Sequence, residues 1–110
     1  VISATITPTS LSNTLVFSFE STGSQGNNEQ GTVLLFNSGS VNAIAVRDIG
    51  YNSPAGGVHC VLNHYQAVAS LAATTFDIRI GVDAGALVVN GTSLWSTAAS
   101  AVFSITEIAP

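Results

Sequence analysis

The side chains able to do chemistry in this 110-residue chain are few: two histidines, two basic residues, six acids and one cysteine. His59 and His64 lie five apart in a segment that reads as one strand. That spacing puts them on opposite faces, so they cannot chelate one ion within a single chain. They fit ordinary polar strand positions, or histidines bonded to a neighbouring group. One histidine from each of three chains could meet an ion on a threefold axis. Asp77 and Arg79, two apart, share a face. They could be an acid with its electrostatic partner, and read more simply as a polar stripe or an ion pair between chains. Arg47 and Asp48 point to opposite faces and cannot form one site.

The patterns of known catalytic sites are missing. No pair of acids stands out at the separation that glycoside hydrolysis needs. No serine sits in a G-x-S-x-G elbow, and neither histidine has a triad setting. Gly56-Gly57 follows Pro54-Ala55 as a turn, and no phosphate-cradling G-x-x-x-x-G-K is present. Asn90-Gly91-Thr92 matches an N-glycosylation acceptor but overlaps a hairpin turn, and is read as coincidence. Cys60, in VHCVLNHY, has no partner for a disulfide and reads as a small buried hydrophobe. The expectation is no enzyme, no catalytic residue, no metal and no cofactor.

Aromatic residues offer a different chemistry. Tyr and Trp stack on the flat C–H faces of sugars while Asn, Asp and Ser bond the hydroxyls. Tyr51, beside Asn52 and Ser53 in GYNSPAGG, suits a loop-borne binding site. Trp95 and Tyr65 complete the candidate ligand contacts. For Trp95 a place in the core or between chains is the plainer reading.

These residues sit on strands. Leu15, Phe17 and Phe19 alternate with Val16, Ser18 and Glu20. Phe76, Ile78 and Ile80 alternate with Thr75, Asp77 and Arg79, and Phe103 and Ile105 with Val102, Ser104 and Thr106. A period of two in Val, Ile, Thr and Phe predicts half-buried strands. They are expected at Ile2–Thr7, Thr14–Glu20, Thr32–Asn37, Ala43–Asp48, Val58–Ala67, Thr75–Gly81, Leu87–Val89, Thr92–Trp95 and Val102–Ile108. The turn clusters PTSLSN, STGSQGNNEQG, NSGS, GYNSPAGG and GVDAG separate them, and Asn90-Gly91 signals a hairpin. Ala67–Ala73 is Ala-rich but short and uncapped, so it reads as a connection. The fold class is all-β: an antiparallel β-sandwich, with a jelly roll as its natural member and an immunoglobulin-like sandwich as runner-up.

Length allows one domain, 1–110. Only 7% of residues are charged, against a usual share of roughly a quarter, while 46% are hydrophobic. Mean hydropathy is +0.48. The surface must therefore be Ser, Thr, Asn, Gly and Ala, and some apolar area is expected to pack against other chains as a homo-oligomer. With no Lys and a net charge of -4, nucleic acid is an unsuitable partner. No apolar run reaches the roughly 18 residues of a bilayer span, so membrane insertion is not expected. VISATITP lacks the features of a signal peptide, and a chain without Met reads as a piece of something longer.

Some segments resemble a known family. ATITPTSLSNTLVFSF resembles the opening of the C-terminal domains of tailed-phage fibre proteins. TTFDIRIG, LVVNG, SLW and the closing VFSITEIAP resemble the end of the same domains. The likeness covers about half the chain, at both ends, and leaves Gly23 to Ala73 weakly matched. It implies a trimeric jelly-roll head, similar to tumour-necrosis-factor and complement globular-head domains. Such a head sits in the virion at the tip of a tail fibre, needle or receptor-binding protein.

The resulting expectation is a homotrimer that attaches to a host cell-surface receptor, a glycan, through loops Gly23–Gly31 and Gly50–Gly57. Near absence of basic residues argues against adhesion to anionic polysaccharide by charge. The alternatives are a structural trimerisation cap of a fibre or needle, and a free-standing trimeric lectin.

Overall fold

A computed structural model describes residues 2–25, 29–52, 56–82, 87–89 and 101–110. The described chain is all-β and forms two antiparallel sheets. Its strands are β1 Ile2–Ile6, β2 Thr14–Gln25, β3 Glu29–Asn37, β4 Ala45–Asn52, β5 Gly56–Ala67, β6 Thr74–Val82, β7 Leu87–Val89 and β8 Val102–Ile108. The first sheet has the order β1-β6-β3-β4. In the second, β2 is central, with β5 along one edge and β7 and β8 on successive stretches of the other. The expected strand Thr92–Trp95 and the Asn90-Gly91 turn lie outside the described residues.

The alternation sorts side chains as the period of two requires. Leu15, Phe17 and Phe19 of β2, Cys60 and Leu62 of β5, Val33 and Leu35 of β3, and Phe76 and Ile78 of β6 are buried between the sheets. Phe103 and Ile105 of β8 pack against them. Each fully buried Leu, Val, Ile or Phe among them contributes about 1.5–3 kcal/mol through removal from water. Burial also pushes the Cys60 thiol up, as a small core hydrophobe should show.

Several strands run further than their composition suggests. β2 continues through Ser21 and Gly23 to Gln25, because β5 pairs with it along all that length. β4 begins at Ala45, two residues later than expected, and continues to Asn52. Its register with β3 shifts between Gly31 and Thr32, where Ile49 is the extra residue. Ile49 packs against the core, on the same face of β4 as Ala45. The 68–73 connection is not helical, and it buries Val68.

NSGS is a β-turn: Ser40 N–H donates to the Asn37 carbonyl at 2.9 Å. Gly39 has φ 84°, the value a type II turn needs at its third residue. No atom lies within 4 Å of a Cβ built there, so the demand is conformational and not steric. Gly39→Ala should therefore lower stability by about 1–2 kcal/mol, read as a lower urea midpoint with an unchanged slope.

Candidate ligand-binding face

The outer face of the second sheet carries residues that alternate with the buried ones. Register across β5, β2 and β8 sets them in rows: Tyr65, Val16 and Thr106, then Asn63, Ser18 and Ser104, then Val61, Glu20 and Val102. Strands about 4.8 Å apart, with same-face residues about 6.7 Å apart along each, make this grid about 10 by 13 Å. Tyr65 is 67% exposed. Asn63, Ser18, Ser104 and Thr106 are exposed as well.

Among the described residues, the one side-chain bond on this face joins His59 Nε2 and Glu20 Oε1 at 2.9 Å. The polar groups of Tyr65, Asn63, Ser18 and Ser104 are not tied to other described side chains. They face solvent, free to bond a ligand.

The first sheet's outer face is arranged differently. Asp77 is 6% exposed and accepts a 2.7 Å hydrogen bond from Ser3 Oγ across the β1–β6 pair. Arg79 Nη2 lies 3.6 Å from its second oxygen, and the guanidinium covers the Phe36 ring at 4.0 Å. The Ser3 bond above all, helped by Ser38 and Arg79 and opposed by burial, holds the Asp77 carboxyl below its usual range. The Asp77–Arg79 stripe is thus an ion pair within one chain, with its acid buried and fully engaged. That suits a structural role.

Glu107 forms a second fastening, on β8. Its Oε1 accepts from Asn13 Nδ2 at 2.8 Å, Thr9 N–H at 2.8 Å, Thr9 Oγ1 at 3.0 Å and Ser10 N–H at 3.3 Å. The Asn13 bond first, then the Thr9 and Ser10 donors, hold its carboxyl below the usual range.

The histidines do lie on opposite faces. His59 points outward to Glu20, and His64 is half-buried with its ring centroid 5.9 Å from that of Phe17. Among the described residues, no group of three or more His, Cys, Asp or Glu side chains could hold a metal ion. A cleft of about 70 Å³ between Pro8, Leu15, Gln66 and Phe76 is far below the roughly 300–1,000 Å³ of ordinary ligand pockets.

Among the described residues, the expected ligand contacts Tyr51 and Asn52 do not lie with Tyr65. Tyr51 and Asn52 belong to β4 of the first sheet, in register with Gln30 and Glu29. They are strand and not loop residues, because the ladder resumes beyond the bulge. Tyr65 lies in the second sheet, near the opposite end of the sandwich. Ser53 and Trp95 lie outside the described residues. The expected contact regions Gly23–Gly31 and Gly50–Gly57 are largely strand, leaving only 26–28 and 53–55 outside the described residues.

Sequence reasoning missed the company that Tyr65 keeps. Ser18 comes beside Asn63, one row from Tyr65, with Ser104 beyond it, only because β2 lies between β5 and β8. No protein-family model matches this chain, and no curated protein matches it in sequence.

Proposed function

We propose that this domain is a homotrimeric jelly-roll head that attaches to a host cell-surface glycan, as the tip of a phage tail fibre or receptor-binding protein. The observation that carries the binding reading is Tyr65, 67% exposed beside hydroxyl and amide groups with no partner among the described side chains. An aromatic ring flanked by free hydrogen-bonding groups is the chemistry that sugars require.

The jelly-roll reading is supported by pairing. β1 pairs with β6, β2 with β5 and β3 with β4, so the first six strands form one antiparallel ribbon folded on itself. Successive ribbon pairs alternate between the sheets, as in a rolled ribbon. The fibre reading rests on the resemblance of both chain ends to phage fibre heads.

Trimerisation is supported by the low charge and by the first sheet's outer face. There Leu34 and the 47% exposed Val46 lie side by side. Three weak sites on one head then act together.

Light scattering at micromolar concentration should give three times the 11.2 kDa chain mass. A monomer there overturns the trimer. A glycan array with whole host cells as control tests attachment. Silence on array and cells from an intact trimer would favour the structural cap instead.

A further inference from the structure

We propose that the second sheet's outer face binds a neutral oligosaccharide laid across β5, β2 and β8. One pyranose ring stacks on Tyr65, and hydroxyls of this and the following sugars bond Asn63, Ser18 and Ser104 in turn, with the Glu20 carboxylate as acceptor at the rim. This deepens the glycan-attachment reading and rests on it.

Charge selects the ligand class. Arg47 lies on β4 and Arg79 on β6, both in the first sheet, so neither guanidinium belongs to this face. Among the described residues, the carboxylate on this face is Glu20, held by His59 at 2.9 Å. A sialate, uronate or sulfate would meet a like charge here and no arginine. A neutral sugar meets groups that both donate and accept: the Asn63 amide and the Ser18 and Ser104 hydroxyls.

Shape selects sugar over a second copy of the chain. The grid is a shallow platform whose middle row, Asn63, Ser18 and Ser104, is polar from edge to edge. Covering it with another sheet's aliphatic side chains would strand three sets of polar groups without water. A saccharide presents alternating C–H and O–H groups, which match the Tyr65 ring and the polar row together. Because the platform is built on three paired strands, these side chains keep their spacing before a ligand arrives, which lowers the cost of binding.

The test uses the whole trimeric or monomeric protein as it occurs in solution, on an array of neutral and anionic oligosaccharides. Binding is then followed by NMR with the neutral probe that gives the strongest signal. Neutral probes are expected to bind and to shift the amide signals of Ser18, Asn63, Tyr65 and Ser104. Tyr65→Ala should weaken binding at least tenfold and Asn63→Ala severalfold, while Arg47→Gln leaves it unchanged. Circular dichroism checks that each variant is folded.

Binding confined to anionic glycans overturns this inference and leaves glycan attachment standing. Binding to host cells with no glycan binding overturns it together with the glycan reading. If Tyr65→Ala instead changes the oligomeric mass, the face is a contact between copies and the proposal fails.

Discussion

Phe17→Ala is expected to cost about 3–5 kcal/mol of stability, the largest effect of any single substitution described here. Phe17 has no exposed surface and stands at the middle of the sandwich. Its ring meets the edge of Phe76 at 4.7 Å between centroids and has His64 beside it. Truncation removes the ring's transfer energy, the edge-to-face contact with the opposite sheet and the packing of both neighbours. Against a total of about 5–15 kcal/mol for a domain, that loss leaves a marginal fold. Urea denaturation followed by circular dichroism reads it directly. Thr106→Ala, on the solvent side of β8, should move stability by no more than about 0.5 kcal/mol. Near-equal midpoints for the two variants would show that Phe17 is not at the core.

Acid is expected to destabilise the domain through Glu107 and Asp77. Both carboxyls are held below their ordinary values of 4.5 and 3.8 in the fold. A depressed folded-state value means that ionisation favours the folded state. The stabilisation is fully present above the ordinary values, and is lost as the pH falls through them toward the folded-state values. For Glu107 the loss frees the 9–13 segment from β8. For Asp77 it removes the acceptor that Ser3 and Arg79 share. Glu107→Gln and Asp77→Asn should each be less stable than wild type at pH 7 and lose less on acidification. The double variant should retain only a shallow dependence below pH 5. Urea midpoints at a series of pH values check this, and a double variant as acid-sensitive as wild type would sink it.

The strand faces were legible because alternation survives in strands that each bury one side. Leu15, Phe17 and Phe19, and likewise Phe76 and Ile78, fall inside where the period put them. Strand length was less legible. STGSQ reads as turn, yet Ser21 and Gly23 are buried within β2 because β5 continues beside them, and tertiary pairing outweighs weak local preference. The site was legible only in part. Period two placed Tyr65 with Asn63 on one face of β5, and Ser18 with Glu20 on one face of β2. Nothing in either period says that these strands are neighbours, or that β8 brings Ser104 alongside. The same ignorance of pairing made Tyr51 a loop residue. The Asp77–Ser3 bond spans 74 positions and the Glu107–Thr9 bond 98, separations that no local pattern reports.

Such separations also govern the order in which the molecule can form. β2 is the centre of its sheet, and one long edge of it is covered by β8, whose residues leave the ribosome roughly 90 positions later. During synthesis that edge, from Thr14 to Glu20, displays unpaired backbone groups above a row of Leu15, Phe17 and Phe19. A hydrophobic strand with an open edge is a template for pairing with another chain. Closure must await a contact between distant parts of the sequence, which makes folding slow. Yield on expression should therefore depend on how quickly β8 reaches β2, with cooler synthesis or a chaperone shielding that edge until it does.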